Sequence, residues 1–183
     1  MPEHPRIAPV PDADWTETER TQFGIAPGQP LPRILATLSQ HPELQRRWLS
    51  FAEHAYREST LAPRDRELAI LRTGYRHGSR YEFAQHAVRG REVGLSDDDV
   101  RAVLDDDLDY WSKADATILR AVDELCATST IGDETWAALA RALDARQLID
   151  LVFTVGSYTL VSYACNALGI PLDDDLVDEP WLD

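Results

Sequence analysis

The chain has 183 residues, 44% of them apolar, which suits one domain with a core of its own. Its formal net charge of −14 excludes the basic face that nucleic acid or an anionic membrane requires of a partner. No apolar run reaches the roughly 20 residues of a bilayer span, and the stretch Met1 to Trp15 lacks the basic start and apolar core of a secretory leader, so a cytoplasmic protein is expected.

Residues 1 to about 30 carry Pro2, Pro5, Pro9, Pro11, Pro27 and Pro30. Proline fixes φ and removes an amide donor, so this segment reads as an irregular arm. It is either loose or wrapped on a neighbouring subunit through Trp15 and Phe23. A helical domain follows over residues 31–173, and an acidic tail closes the chain over 174–183. Leu31 to Leu35 opens a short helix, and His41-Pro42-Glu43-Leu44 restarts one with proline in the first turn. Leu44, Trp48, Phe51 and Ala55 then recur at helical spacing. Pro63 begins the next helix, with Leu68, Leu71 and Tyr75 on one stripe, and Gly74 to Gly78 allow it to stop. Ser79 starts another, which ends at Gly94 with a following leucine, a common C-terminal cap.

Ser96 followed by Asp97, Asp98 and Asp99 caps the next helix. Ala114 to Cys126 and Glu134 to Leu143 are amphipathic. Asp144-Ala145-Arg146-Gln147 has the form of a capping box and opens an almost wholly apolar segment from Leu148 to Leu168, closed by Gly169-Ile170-Pro171. That segment is expected to be the most buried element or an oligomer seam. No strand alternation is present, so the fold class is all-α, with about eight helices. The acid clusters Asp97–Asp99, Asp105–Asp107 and Asp173–Asp183 read as solvated surface and helix first turns. Cys126 and Cys165 form no Cys-x-x-Cys and read as small buried hydrophobes without a disulfide.

The chemistry concentrates in one spaced run, Glu67, Ser79, Glu82 and His86, which reads Glu-x11-Ser-x2-Glu-x3-His. Glu82 and His86 lie four apart and can meet on one helix face, where a carboxylate holds the imidazole tautomer and raises its basicity. Glu67 shares a face with Leu71 and Gly74, at the edge of an apolar stripe, where burial would raise its pKa. Structural readings stand beside these. Ser79 and Glu82 fit a capping box, Glu82 and His86 fit an exposed ion pair worth about 0.3–0.5 kcal/mol, and Arg64 stands three residues before Glu67 as a surface partner. His77 with His86, Glu82 and Glu67 would make a metal site, but no defined metal spacing supports one. His41 and His54 read as surface or turn residues, while Tyr75, Tyr81 and Tyr158 are candidates for a pocket wall.

The spacing Glu67, Ser79, Glu82, His86 resembles the Glu-x11-Cys-x2-Cys-x3-His frame of the alkylhydroperoxidase D and carboxymuconolactone decarboxylase-like family, with both sulfur positions filled by oxygen groups. Leu61 to Thr73 is similar to the family's first site helix, Tyr81 to His86 to its second, and Asn166 to Asp173 to its domain end. With His41 to Leu44, the resemblance spans about residues 31–173. It implies a homo-oligomer, a trimer or a hexamer, with sites between helices. Serine and glutamate cannot form a disulfide, so dithiol peroxidase chemistry is disfavoured at this site.

The reading is a decarboxylase-like enzyme using acid–base chemistry on a small carboxylated or carbonyl substrate. Glu67, Glu82 and His86 are its catalytic residues, and Ser79 and Tyr81 contact substrate. No cofactor and no metal are required, and Arg72, Arg76 or Arg89 holds a substrate carboxylate. The alternatives are a peroxidase relying on Cys126 or Cys165, and a non-catalytic helical oligomer that binds a small ligand or a protein.

Overall fold

The computed structural model describes residues 4–22, 24–26 and 28–176. Among these residues there are nine α-helices and no strand. They are α1 (Glu17–Gln22), α2 (Arg33–Leu38), α3 (Pro42–Glu53), α4 (Pro63–Arg76), α5 (Arg80–Glu92), α6 (Asp97–Ala102), α7 (Lys113–Thr128), α8 (Asp133–Ala142) and α9 (Ala145–Leu168). A π-helical turn, His54–Glu58, continues α3.

The boundaries follow from caps that are visible in the chain. Ser96 accepts from Asp99 N while the Asp99 side chain reaches back to the Ser96 amide, a reciprocal capping box that also places three acids at the positive end of α6. Asp144 and Gln147 do the same for α9, which Gly169 ends in the left-handed region at φ 67°. The helix beyond the expected eight is α1, within the proline-rich arm. Thr16 N donates to Glu19 Oε2 at 2.8 Å and Glu19 N donates to Thr16 Oγ1 at 3.2 Å, so Thr-x-x-Glu nucleates a turn between prolines.

Helix α4 is the hub, packed against α5, α7 and α9. Nine consecutive residues, Arg66 to Gly74, are buried, so the helix is enclosed on every side rather than along one stripe. Leu68, Ile70 and Leu71 each contribute roughly 2 kcal/mol of apolar transfer free energy there. Gly74 belongs to this helix rather than stopping it. A Cβ at Gly74 would lie 3.4 Å from Phe83 N and 3.6 Å from the Glu82 Cβ, so the missing side chain lets α4 and α5 cross closely. The stop comes at Gly78, with φ 58°.

Enclosure of α4 forces a polar solution for Arg72, which is fully buried. Its guanidinium donates to both Asp123 oxygens, at 2.8 and 2.9 Å, and to the carbonyls of Val103 and Asp105. Arg76 shares Asp123 and also pairs with Asp106 at 2.7 Å. The cluster Asp105–Asp107 is therefore not merely solvated surface. The Asp106 carboxylate helps balance the charge of α4, and Asp105 contributes its carbonyl.

The chain ends also correct the sequence reading. Asp173 is buried, not solvated, and accepts from Arg33 N at 2.7 Å, Tyr81 OH at 2.9 Å and Gln85 Nε2. It ties the C-terminal segment to α2 and α5. The arm lies against its own chain: Arg6 N donates to Leu168 O and Val10 N to Ala36 O, both at 2.9 Å, and Trp15 packs with Ile25, Leu31 and Ala36. Phe23 and the tail beyond residue 176 lie outside the described residues.

Helix α9 has the length and hydropathy of a membrane span. Its buried face nevertheless includes Asp150, Thr154, Ser157 and Ser162, packed against other helices, which marks it as a core helix. Its opposite face exposes Ile149, Phe153, Leu160 and Tyr163, each more than half exposed. On α3, Leu44 and Phe51 of the apolar stripe are likewise exposed, while Ala55, in the π-turn that follows, is buried.

Candidate active site

The tight crossing at Gly74 brings the inner faces of α4 and α5 together and seals Glu67 between them. Glu67 is fully buried, His86 is 1% exposed and Glu82 is 5% exposed. His86 Nδ1 lies 2.6 Å from Glu67 Oε2. An ionised carboxylate accepts only, so Nδ1 carries the proton and Nε2 presents its lone pair. Nε2 stands 3.7 Å from Glu82 Oε2 and 3.2 Å from Arg89 Nη1. Tyr158 meets the imidazole edge-on, with ring centroids 4.8 Å apart.

The three expected catalytic residues therefore converge, but their roles divide differently from the sequence reading. Glu67 takes no surface partner from Arg64, which pairs instead with Asp115 at 2.6 Å. It is held by His86 and by Arg66, whose Nη2 lies 3.2 Å from Oε1. Burial acts to raise the Glu67 pKa, but the His86 ring and the Arg66 guanidinium outweigh it and hold the carboxyl below its ordinary range. The raised carboxyl is Glu82, pushed up to about 7 by burial, with the Glu67 charge adding to this and Arg89 and the Cys165 thiol opposing it. The Cys165 Sγ lies 3.6 Å from Glu82 Oε1. Burial lowers the His86 pKa, and Arg89 and Arg66 act in the same direction against the pull of Glu67, so the ring is neutral near pH 7.

Ser79 stands at the N-cap of α5 without a side-chain cap bond, and its buried Oγ has no partner. The capping box with Glu82 does not form, because Glu82 turns inward to Cys165 and His86. Ser79→Ala is accordingly expected to leave the unfolding temperature unchanged or slightly raised, since it removes an unsatisfied buried hydroxyl. A working cap would instead lose about 1 kcal/mol on the same substitution.

One cavity of about 430 Å³ opens on this pair. Glu82, His86 and Arg89 are part of its polar wall, with Tyr56, Tyr81 and Tyr158 around them and Glu53, Arg57 and Gln85 also lining it. Glu67 and Ser79 stand behind the wall. Tyr81 offers the cavity its ring, because its hydroxyl donates to Asp173 and accepts from Ile34 N at 3.3 Å. Tyr75 lies elsewhere, in the cluster formed with Leu68, Leu71 and Phe83. His77 also stays apart, meeting Thr159 Oγ1 at 3.0 Å and the Tyr163 ring. Among the described residues no three His, Cys, Asp or Glu side chains are placed to share a metal ion.

Two contributors were not legible in the sequence. Arg66 is adjacent in sequence to Glu67, a spacing that does not suggest a shared helix face. Tyr56 reaches the site through the π-turn after α3, a local widening that often accompanies functional sites. Its ring carries the Arg66 guanidinium at 5.2 Å and that of Arg89 at 4.6 Å.

These features define an all-helical protein with a glutamate–histidine pair sealed between two helices, the histidine opening on a cavity. Residues 42–124 match the carboxymuconolactone decarboxylase family model. Among solved structures it is similar to an uncharacterized peroxidase-related protein from Silicibacter sp. TM1040, at 14% identity and TM-score 0.75, over 97% of this chain and 93% of that one. It is also similar to an uncharacterized peroxidase-related protein with an alkylhydroperoxidase AhpD core from Ralstonia eutropha JMP134, at 16% identity and TM-score 0.76, over 94% and 95% of the two chains. The debrominase Bmp8, a cysteine-to-alanine variant in complex with 2,3,4-tribromopyrrole, is similar at 12% identity and TM-score 0.76, over 94% of each chain. At such identities the likeness establishes the fold. No curated protein matches the chain.

Proposed function

We propose that the protein is a carboxymuconolactone decarboxylase-like enzyme that moves protons on a small carboxylated or carbonyl substrate in the cytoplasm. One observation carries this reading: His86 is anchored through Nδ1 to Glu67 at 2.6 Å, while its Nε2 side faces a cavity beside a carboxyl pushed up to about 7. A base and an acid with opposed environments, both reaching one space, form a proton-transfer site. Glu67 is a positioning residue in this scheme. It fixes the ring and its tautomer without touching substrate.

The lone pair of His86 Nε2 takes a proton from carbon beside a carbonyl, and the C–H bonding pair moves into that carbonyl. Glu82 returns a proton to the conjugated carbon. In decarboxylation the C–C pair left by departing carbon dioxide enters the same conjugated system, and Glu82 protonates it. This route needs no cofactor. Arg72 and Arg76 are committed to Asp123, so of these three arginines Arg89, on the cavity wall, is the one placed to meet a substrate carboxylate. The test is turnover of a panel of small unsaturated and keto acids by the wild type and by His86→Ala. Equal rates would remove His86 from the mechanism.

A thiol peroxidase is the weaker reading. Burial raises the Cys126 pKa to about 11, and burial with the Glu82 charge raises that of Cys165 far above the ordinary thiol range. Neither is a thiolate near neutrality. Peroxide consumption that disappears on alkylation would reverse this preference.

The exposed stripe Ile149, Phe153, Leu160 and Tyr163 on α9 supports assembly into a homo-oligomer, because an isolated domain rarely leaves so ordered an apolar row in water. Phe51 extends it through an edge-on contact with Phe153 at 6.2 Å. Phe153→Glu is expected to shift the protein to its monomer mass in sedimentation velocity. An unchanged mass would show that this face is not the seam.

A further inference from the structure

Arg89 stands between the cavity and the base it would serve. Its Nη1 lies 3.2 Å from His86 Nε2 and occupies the direction of the only free lone pair on the ring. The other ring nitrogen is committed to Glu67. In the protein as it stands, a substrate proton cannot reach Nε2 until this guanidinium moves. Unlike Arg64, Arg66, Arg72 and Arg76, Arg89 makes no ion pair among the described residues. Its guanidinium rests on the Tyr56 ring at 4.6 Å, a platform along which a planar group can slide. The same cation lines the cavity, where the Glu82 carboxyl acts on it only from beyond ion-pairing distance.

We propose that Arg89 is an anion-operated latch on the proposed base: a ligand carboxylate or enolate in the cavity draws the guanidinium off His86 Nε2 and thereby exposes the lone pair. The inference rests on the acid–base reading of this site and adds its regulation. Two effects of binding point the same way. The anion offers Arg89 a charge-assisted, two-pronged acceptor in place of a neutral nitrogen. It also neutralises a cation that depresses the His86 pKa, so the exposed nitrogen becomes more basic. The other ionisable groups facing the ring stay in place: Glu67 and Arg66 from α4, Glu82 from α5, Tyr158 from α9 and Tyr56 from the π-turn. A neutral isostere fills the cavity without lifting the latch. The anionic group thus determines specificity through kcat rather than through KM alone.

The test uses nitrogen-15 NMR of histidine-labelled full-length protein, with benzoate as the anion and benzamide as the neutral control. Benzoate is expected to shift the His86 Nε2 resonance and raise the ring's titration midpoint, while benzamide does neither. Arg89→Met should show the unlatched resonance without any ligand, and Arg89→Lys should respond to benzoate only weakly, since a point charge cannot fork a carboxylate. Benzoate leaving His86 unmoved up to its solubility limit, or Arg89→Met titrating as the wild type does, would overturn the latch. Because this readout is binding and titration rather than turnover, it stands or falls separately from the proposed reaction.

Discussion

His86→Gln is expected to lower kcat on any accepted substrate by about 10²–10⁴-fold, the range over which a positioned general base acts. Glutamine fills much of the same volume but has no group that takes up a proton near pH 7, so the loss reports chemistry rather than collapse. Glu67→Gln should be nearly as damaging although it touches no substrate. Its amide nitrogen would face His86 Nδ1 as a donor and favour the tautomer with the proton on Nε2, which removes the lone pair from the cavity. In a serine protease triad the equivalent exchange of carboxylate for amide costs about 10⁴-fold in kcat. Glu67→Gln also removes the buried carboxylate that pairs with Arg66, and breaking such a pair costs about 3–5 kcal/mol. Thermal unfolding therefore accompanies the kinetics. A folded His86→Gln protein with wild-type kcat would end the acid–base reading.

The caps explain why most of the fold could be read from the chain. Ser96 with three acids, Asp144 with Gln147 and Gly169 are local signals whose partners lie within four residues, and each marks a helix end as expected. Thr16 and Glu19 belong to the same class and were overshadowed by the prolines around them. The site was legible as a spacing, because Glu67, Glu82 and His86 do converge, but the division of labour was not. Which carboxyl is raised depends on where Arg66 and Arg89 point, and that is set by the crossing of α4 and α5 and by the π-turn that brings in Tyr56. Ser79 shows the opposite failure. Its Ser-x-x-Glu pattern is a sound local signal, yet burial of Glu82 against α9 takes the glutamate away from the cap.

The pH dependence of Glu82 separates its role from that of a merely buried acid. As proton donor it is active while protonated, so kcat is expected to decline as pH rises through about 7. The acid limb belongs to His86, which must be neutral and whose pKa is lowered by burial, so that limb lies below the ordinary imidazole range. Stability moves with the same proton. In the unfolded chain Glu82 titrates near its ordinary value of 4.5, in the native state near 7, so between these values the folded protein holds the extra proton. The contribution of Glu82 is complete below the first value and is lost as pH rises through the second. Glu82→Gln is neutral throughout and should flatten that part of the urea-stability profile. In the same variant, kcat falls by about 10²-fold and its alkaline limb disappears. An alkaline limb that persists unchanged in Glu82→Gln would assign the proton to another group and leave Glu82 a structural acid.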